Sequence, residues 1–302
     1  MAGMAENTSI QWCDHTWTLV VGCDPVSPAC AKCYAALMAA RLEAMGHEKY
    51  RGLAIRVGNI GKWTGEVRFD ESVLELPLRT RKPARWFLTS MGDIAHEKVT
   101  DAQIATAFDV MARAEQHTFL VLTKRIARFE SLLRGDPLRN VLIGCTAENQ
   151  TQADTHRPHM QALAARGWKT FVSYEPALGP VDWAGWEFLK QLISGGEAAH
   201  GSRPSHPDWH RAARDFAEQH GIAYLFKQWG DWNPGTVREA VNAKKVRVER
   251  SGEVRPWPPI FEPGSGPWCM SKVGKKAAGR LLDGIEHNGF PHVEAHSLTG
   301  FP

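Results

Sequence analysis

The feature that most constrains this chain is a loop that holds three of its six cysteines within eleven residues. Cys23, Cys30 and Cys33 are spaced Cys-x6-Cys-x2-Cys, and Pro25 and Pro28 lie between the first two. The prolines stiffen the loop, so less backbone entropy is lost when three side chains converge. In a chain with no sign of secretion, cysteines at this density indicate metal ligation rather than a disulfide framework.

The spacing alone leaves three interpretations of the loop open. Three thiolates can hold a [4Fe-4S] cluster and leave one iron free to bind the amino and carboxylate groups of S-adenosylmethionine (SAM). A zinc ion would instead need His15 or Cys13 as the fourth ligand of a closed tetrahedral site. In the third interpretation the thiols are reduced and simply packed.

Composition places the chain among globular proteins of a reducing compartment. Its 302 residues are 43% hydrophobic and 23% charged, which is enough to bury a full core. A net charge of +3 neither requires nor excludes a nucleic-acid partner. Residues 1–9 lack the apolar core of a signal peptide, and no apolar run reaches the length of a membrane span. We therefore expect a cytoplasmic protein without membrane contact.

Predicted strands and helices alternate along the chain, which is typical of βαβ units and a parallel sheet. Strands are predicted at residues 85–90, 118–123, 140–145, 169–173, 188–193 and 222–226, and segments 16–21 and 66–69 bring the number to about eight. No Gly-rich dinucleotide turn is present, so a doubly wound sheet fits less well than a barrel. We predict an α/β fold, a complete or partial (β/α)8 TIM-type barrel.

Three segments are expected along the chain. Residues 1–234 form the barrel with its N-terminal cysteine loop. Residues 235–270 break the alternation and are predicted to form a surface insertion, with a hairpin that turns at Ser251 and Gly252. Residues 271–302 are predicted to form a basic helix, over 273–284, and a tail.

Polar side chains follow directly after the predicted strands. A barrel presents the carboxyl ends of its strands to one shared mouth, so we expect these side chains to meet there, together with the cysteine loop. Each residue alone would be an ordinary solvated loop residue, but the repetition over six strands favours a site. The set is Asp93, Lys124, Arg125, Glu148, Asn149, Gln150, Glu175, Glu197, Lys227 and Gln228.

Ordered motifs along nearly the whole chain carry a family resemblance. They are SIQWCDHTW (9–17), GC (22–23), SP (27–28), CAKCY (30–34), SMGD (90–93) with His96, QHTF (116–119), VLTKR (121–125), AENQ (147–150), EP (175–176), LGP (178–180), GGE (195–197), HPDW (206–209), FKQWG (226–230) and VGKKAAGR (273–280). In these motifs the chain resembles a phage-associated three-cysteine family that looks like a branch of the radical SAM superfamily.

The resemblance implies a barrel of the radical SAM kind and a set of residue roles. Cys23, Cys30 and Cys33 hold a [4Fe-4S] cluster that binds SAM, and the reductive cleavage of SAM leads to hydrogen abstraction from the substrate. Residues expected to bind SAM are Tyr34, Ser90, Asp93, Glu148 and Asn149. Residues expected to bind the substrate are Lys124, Arg125 and Gln228. The expected catalytic groups are Glu175, Lys227 and Tyr174. Either Tyr174 or Cys145 would return a hydrogen atom to the substrate.

The chain departs from the commonest radical SAM pattern in two places. That pattern has three residues between the first two cysteines and an aromatic residue before the third, whereas this loop has six and Lys32. Tyr34 is then the aromatic residue expected to contact adenine. The Gly-Gly-Glu motif normally comes early in the barrel, but Gly195, Gly196 and Glu197 come late.

The resemblance also implies a substrate class and partners. We expect modification of a nucleobase in phage DNA, specifically the isomerisation of an amino acid such as glycine on a thymine methyl group from an N-linked to a C-linked form. The partners are then DNA and an external electron donor, in the host cytoplasm if a phage encodes the protein. The alternatives are a non-catalytic zinc-containing nucleic-acid-binding module, or a radical SAM enzyme that acts on RNA, peptide or a nucleotide.

Overall fold

The computed structural model describes residues 6–8, 10–235, 243–257 and 267–291, and these form sixteen strands and seven α-helices. The strands are β1 (Glu6–Asn7), β2 (His15–Trp17), β3 (Val20–Val21), β4 (Ala54–Val57), β5 (Ile60–Trp63), β6 (Arg68–Phe69), β7 (Arg85–Leu88), β8 (Thr118–Thr123), β9 (Val141–Thr146), β10 (Lys169–Tyr174), β11 (Gln191–Gly195), β12 (Ala223–Gln228), β13 (Trp232–Pro234), β14 (Lys245–Val248), β15 (Val254–Pro256) and β16 (Trp268–Lys272). The α-helices are α1 (Tyr34–Ala44), α2 (Leu76–Arg79), α3 (Asp101–Arg113), α4 (Ile126–Leu132), α5 (Gln150–Ala165), α6 (Pro207–Gln219) and α7 (Lys275–Ala278).

A sheet with strand order β1-β2-β7-β8-β9-β10-β11-β12 forms the centre of the described structure. Its seven strands from β2 onward are parallel, and β1 is antiparallel to β2. The spatial order follows the chain without reversal, so right-handed crossovers place the connecting helices on one face. Among the described strands, β1 and β12 do not pair with each other. The sheet is therefore a half-barrel, the partial form of the predicted architecture.

Successive residues of each parallel strand pack on opposite faces of the sheet. One apolar cluster lies against the helices and includes Trp86, Val121, Ile143, Val172 and Phe226. A second lies on the inner face and takes the neighbouring positions of the same strands. This alternation inside near-continuous apolar runs is what a parallel sheet buried on both sides requires. The inner cluster consists of Trp12, Cys13, Phe87, Leu120, Leu142, Phe171, Ile193 and Leu225.

Three predicted elements differ from the structure. The predicted strand at 16–21 is two strands, of which β2 joins the main sheet and β3 pairs with β6 instead. The strand predicted at 188–193 begins only at Gln191, because the backbone turns at Trp186 and Leu189, which donate hydrogen bonds three residues back. The predicted basic helix at 273–284 is the single turn α7, bounded by Gly274 and Gly279, both with positive φ.

The first helix does not belong to the outer layer of the half-barrel. α1 packs on the hairpin β4–β5, and Gly61 lies so close to the α1 backbone that a Cβ there would come within 2.0 Å of the Leu37 nitrogen. Together with the loop before it, α1 forms a separate unit around a small core that includes Ala35, Ala39, Tyr50 and Met91. The cysteine loop is thus joined to a unit beside the sheet.

A second, antiparallel sheet with strand order β13-β16-β14-β15 follows the half-barrel. β14 and β15 form a hairpin, and Gly252 lies in its turn with a φ of 97°, which matches the hairpin predicted at Ser251 and Gly252. The remainder of the expected insertion, residues 236–242 and 258–266, and residues 292–302 of the expected tail lie outside the described residues.

Candidate active site at the carboxyl ends of the strands

The cysteine loop lies at the carboxyl ends of the parallel strands. An isolated parallel bridge joins Gly22, directly after β3, to Gly92, four residues after the end of β7. The two backbones touch, because a Cβ on Gly92 would lie 2.6 Å from the Val20 carbonyl oxygen. Glycine is needed there for close approach rather than for a special backbone conformation. This contact fixes the start of the loop against the main sheet.

The loop itself is compact and leaves its three cysteines partly exposed. Pro28–Lys32 is a 3-10 helix, and Cys33 follows it as the N-cap of α1. Cys33 donates its backbone N–H to the Cys30 carbonyl oxygen over 3.3 Å, and the Ser27 hydroxyl lies 3.6 Å from the Cys30 sulfur. The second and third cysteines are therefore positioned by local backbone structure.

Arg125 holds the first cysteine from the end of β8. Its side chain is only 7% exposed, and it donates from Nη1 to the Cys23 sulfur over 3.6 Å and from Nη2 to the Asp24 carbonyl oxygen over 3.3 Å. Nη1 also donates to Asp93, and Nε donates to both carboxylate oxygens of Glu97. Arg125 was predicted to bind substrate, but its contacts make it a buried anchor of the loop.

Asp93 completes this anchor and does not face an open space. Its carboxylate accepts hydrogen bonds from the Thr123 hydroxyl at 2.6 Å and from the backbone N–H groups of Ala95 and Lys124. With the Arg125 guanidinium added, most of its lone pairs are used within the protein. Asp93 was predicted to bind SAM, which stays a prediction; in the structure it shares the Arg125 Nη1 donor with Cys23.

Burial raises the pKa of the Cys23 thiol to about 12, and the Asp93 carboxylate adds to the rise while Arg125 opposes it. Cys23 is therefore protonated at neutral pH in the metal-free protein. A metal that binds Cys23 would displace this proton, and the nearby guanidinium would then stabilise the thiolate.

Glu148 reaches the loop from the end of β9. The side chain is fully buried, and one carboxylate oxygen accepts a hydrogen bond from the Ala29 N–H over 3.3 Å. The other oxygen, Oε2, has no hydrogen-bond partner among the described residues. A buried carboxylate oxygen without a partner is costly in a native protein, so this atom is suited to accept a hydrogen bond from a bound molecule.

Glu197 and Arg203 form the third connection, from the loop after β11. Arg203 pairs with Glu197 and donates from Nη1 to the Pro28 carbonyl oxygen over 3.1 Å. Lys32 donates to the Gly201 carbonyl oxygen in the same loop. The late Gly-Gly-Glu motif therefore supports the cysteine loop from beneath. Gly196 permits this arrangement, since a Cβ there would lie 2.1 Å from the Trp229 carbonyl oxygen.

Glu175, Lys227 and Gln228 come together at the ends of β10 and β12. The Lys227 ammonium lies 2.8 Å from the Glu175 carboxylate, and Gln228 donates to the same carboxylate over 3.4 Å. The Gln228 carbonyl oxygen, Oε1, is buried without a hydrogen-bond partner in the described part of the chain. Sequence reasoning placed all three at one mouth, and the structure brings them together.

Three of the remaining predicted site residues, Tyr34, Lys124 and Asn149, lie next to the end of a helix or a strand and make polar contacts there. Tyr34 is 55% exposed and donates its hydroxyl to the Ser90 carbonyl oxygen over 3.0 Å, while the Lys124 ammonium lies 3.1 Å from the Thr146 hydroxyl. Asn149 caps α5 by accepting from the Gln152 N–H.

Tyr174 and Cys145 lie on the helix-facing side of the sheet, so neither is placed to donate hydrogen at the mouth. Both are fully buried in the outer apolar cluster. The Tyr174 hydroxyl donates to the Gly179 carbonyl oxygen, which holds that side chain away from Glu175 and Lys227. Their neighbours in the strands, which face the other way, are the ones that line the inner side.

Two site residues were missed by sequence reasoning. Arg203 lies in an irregular segment after Glu197 and carries no spacing signal, so only the fold reveals its contact with Pro28. Asp24 was not assigned a role, yet its carboxylate lies 3.1 Å from the buried His96 ring, which was quoted only as part of a motif.

Within the described residues, no three His, Cys, Asp or Glu side chains meet closely enough to hold a single metal ion. Cys13 and His15, the predicted fourth zinc ligands, have other surroundings: Cys13 is buried in the inner apolar cluster, and the His15 ring lies against Trp86 with the two ring planes tilted by 41°. A cubane cluster differs from zinc because each thiolate binds a different iron, so its ligands need not surround one point. Three partly exposed cysteines on one anchored loop fit that donor arrangement.

A protein-family model described as "Protein of unknown function (DUF5131)" matches residues 7–291. The chain belongs to the DUF5131 family. A comparison with curated proteins found no match for this DUF5131 chain.

Solved structures of spore photoproduct lyase are similar to the DUF5131 chain at low identity. One single-substitution mutant has 9% identity and a TM-score of 0.42, covering 92% of this chain and 73% of its own. Another has 10% identity and a TM-score of 0.42, covering 91% and 73%. A double mutant with bound AdoMet and dinucleoside spore photoproduct has 12% identity and a TM-score of 0.37, covering 70% and 62%. Similarity at this level assigns neither cofactor nor substrate to the DUF5131 chain.

None of the helices in the described part of the DUF5131 chain has both the length and the hydropathy needed to cross a membrane.

Proposed function

We propose that this protein is a radical SAM enzyme that uses a [4Fe-4S] cluster. One observation carries the proposal: three strand ends of a parallel half-barrel converge on a single three-cysteine loop. Arg125 binds it after β8, Glu148 after β9 and Arg203 after β11. Active sites of barrel enzymes lie at this end of the sheet, and a loop fixed at four points, with the Gly22–Gly92 bridge as the fourth, is a preorganised ligand set rather than a solvated surface turn.

Cys23, Cys30 and Cys33 would hold the cluster. When bound, the cluster and SAM would supply a reductive cleavage that generates a radical able to remove a hydrogen atom from the substrate. The protein's own residues fix the loop: Arg125 donates to the Cys23 sulfur, and the Glu197–Arg203 pair holds Pro28.

The charges inside the mouth suit a cationic cofactor. SAM carries a sulfonium and an ammonium group against one carboxylate, so its net charge is positive. Glu148 is fully buried with a free carboxylate oxygen, and Glu175 lies nearby on the next strand, balanced by Lys227. A free carboxylate oxygen in a site of low dielectric constant attracts a cation strongly. We assign Glu148 to the SAM ammonium.

The substrate of this proposal is a nucleobase in DNA. The finer form rests on the motif resemblance: the enzyme isomerises a glycine attached to the thymine methyl carbon. The bond from that carbon to the glycine nitrogen breaks, and a bond from it to the glycine α-carbon forms. One hydrogen leaves the α-carbon and one is gained by the nitrogen, so the mass is unchanged and a secondary amine becomes a primary amine. Glu175, Lys227 and Gln228 are the polar groups assigned to the glycyl group of this substrate.

The metal-binding part is tested by replacing each cysteine separately with alanine and measuring iron, sulfide and zinc after anaerobic reconstitution. Cys23→Ala, Cys30→Ala and Cys33→Ala should each lose most of the iron. Cys145→Ala and Cys269→Ala are matched controls, because both residues are buried outside the loop, and they should keep it. Equal iron content in all five variants, or zinc in place of iron, would contradict the proposal.

The substrate part is tested with an oligonucleotide that carries N-linked glycyl-thymine. The expected product has the same mass and reacts with a reagent specific for primary amines. Release of free glycine, or no change in the oligonucleotide when SAM is cleaved, would remove the isomerase assignment and leave RNA, a peptide or a free nucleotide as the substrate to test.

A further inference from the structure

A cavity of about 430 Å³ lies beside Cys33 of the cysteine loop. Its walls come from three separate parts of the chain: the exposed face of α1, the tip of the hairpin β4–β5 and the loop after Glu197. The volume falls within the range of small-molecule sites, roughly 300–1,000 Å³. None of the residues described above as anchors of Cys23 lines this cavity.

The floor of the cavity is apolar and aromatic. Tyr34 and Met38 are one helical turn apart on α1 and are 55% and 42% exposed, and Ile60 of the hairpin faces them across the cavity. Large apolar side chains that remain exposed next to each other in a concave surface are typical of a ligand-binding site. A tyrosine ring beside a methionine suits a flat, polarisable ring system.

The charged residues of the cavity are cationic. Arg41 and Lys32 line it, with His200 in the same lining, and no aspartate or glutamate is among the described lining residues. Within the described part of the chain, the Arg41 guanidinium forms no hydrogen bond or ion pair. An arginine left without a partner at a concave site is suited to bind a phosphate through two parallel hydrogen bonds.

The cavity differs from the barrel mouth in its charges. The mouth carries charges of both signs, among them Glu148 with its free carboxylate oxygen and the Glu175–Lys227 pair, whereas the described lining of the cavity carries Arg41 and Lys32 without an acidic side chain. A cofactor with a net positive charge is therefore disfavoured in the cavity. Cys33 borders the cavity, so a molecule bound there lies next to the cysteine loop.

We propose that this cavity binds one nucleotide, with its phosphate on Arg41 and its base against Tyr34 and Met38. The occupant is the substrate, an assignment that rests on the proposed function, whereas the binding itself does not. A base within a duplex would have to be flipped out of the stack to enter. The same chemistry is offered by a free nucleotide and by a nucleotide within a strand.

Binding is tested on the full-length, reconstituted protein before any reductant is added. The probes are thymidine 5′-monophosphate, a short fluorescein-labelled single-stranded DNA, and SAM by equilibrium dialysis. Arg41→Ala should weaken single-stranded DNA binding about 10-fold, as expected for one charge-assisted hydrogen-bonded contact. It should also lower the slope of log K against log salt by about 0.7, the value for one phosphate of a single strand.

Three comparisons make the test decisive. Arg113→Ala is the matched control, because Arg113 is an exposed arginine on α3, and it should bind DNA as the wild type does. Met38→Glu places a carboxylate in the cavity and should also weaken DNA binding, while both cavity variants keep the wild-type affinity for SAM. If thymidine 5′-monophosphate binds as tightly as the strand, the ligand is a free nucleotide; if only the strand binds, it is a polymer.

Two results would overturn the inference. One is DNA binding that is the same in the wild type, Arg41→Ala and Met38→Glu, which includes the absence of binding in all three. The other is loss of SAM affinity in Arg41→Ala with DNA affinity retained, which would make the cavity part of the cofactor site. Failure of the proposed function has a different signature, namely no SAM cleavage while Arg41-dependent nucleotide binding persists.

Discussion

Arg125 is the residue that most directly connects the fold to the cysteine loop. It was predictable as a strand-end residue, because VLTKR follows an apolar run and parallel strands present their carboxyl ends together. Its role was not predictable, because its partners Cys23 and Asp24 lie 102 and 101 positions earlier in the chain. Only the fold shows that Arg125 contacts these residues. The surroundings of Tyr174 were not predictable either. The alternation of side chains along β10 places Tyr174 on the face of the sheet that packs against the helices.

Replacing Arg125 with methionine should destabilise the protein by about 3–5 kcal/mol, since the substitution leaves the buried Asp93 carboxylate without its charge partner. The free energy of unfolding from urea titration measures this effect. Arg113→Met, at an exposed pair on α3, should change it by less than about 0.5 kcal/mol. A similar small loss in both variants would mean that Arg125 does not anchor the loop.

Gly196→Ala tests the close approach beneath the Gly-Gly-Glu motif. The added Cβ would lie 2.1 Å from the Trp229 carbonyl oxygen, so the backbone must move. We expect a loss of about 2 kcal/mol or more in the free energy of unfolding, as for overpacking against rigid atoms. Gly135→Ala is the control, because its Cβ meets nothing within 4 Å, and it should be neutral or stabilising by about 0.4–1 kcal/mol. Equal tolerance of both substitutions would mean that the backbones at Gly196 and Trp229 do not approach each other this closely.

At the scale of elements, the C-terminal segment covers the free edge of β12. Phe226 donates its N–H to the His287 carbonyl oxygen, and Gly289 donates to the Tyr224 carbonyl oxygen. Open sheet edges are usually covered or otherwise protected. Asp283 fixes this segment to α6 through Arg211 and Arg214. The sequence predicted a tail after the basic helix at 273–284 and contained no sign of an edge cover, because edge pairing is long-range and carries no local periodicity.

The Asp283 pairs predict a pH dependence of stability. Hydrogen bonds from Arg211, then from Arg214, lower the pKa of Asp283 to about 2. A carboxylate with a depressed folded-state pKa contributes stability above its unfolded pKa of about 4 and loses it as pH falls toward the folded pKa. Asp283→Asn should therefore cost about 1 kcal/mol at neutral pH, discounted for partial exposure, and the difference should vanish near pH 2.

Urea unfolding at a series of pH values checks this expectation. Asn tolerates the positive φ of 54° at position 283, so the substitution removes charge without backbone strain. Asp109→Asn, at an exposed helix pair, serves as the control and should show almost no effect. A difference for Asp283→Asn that is independent of pH would show that the charge pairs do not contribute.

At the scale of the whole molecule, the apolar alternation identified most of the parallel strands, because near-continuous buried runs leave few other structures open. What it could not decide was closure. A sheet becomes a barrel only if its edge strands pair, and among the described strands β1 and β12 do not. The unit formed by α1 and β4–β5 was missed for a similar reason, since the pairing of that hairpin depends on tertiary packing against the helix.

At the same scale, the proposed cofactor and substrate contacts meet at the cysteine loop. Glu148 reaches the loop from a strand end and has a free carboxylate oxygen, and Cys33 borders the cavity that Arg41 and Lys32 line. A cationic cofactor and an anionic substrate would then both lie next to the loop, with Glu148 as the partner of the first and Arg41 as the partner of the second.

The most direct test is to add SAM and dithionite to the anaerobically reconstituted protein and to quantify 5′-deoxyadenosine. We expect about four irons per chain and 5′-deoxyadenosine formation that is lost in the Cys23→Ala, Cys30→Ala and Cys33→Ala variants. Stoichiometric zinc without iron, and no cleavage of SAM, would contradict it and would leave the three cysteines as ligands of a structural metal.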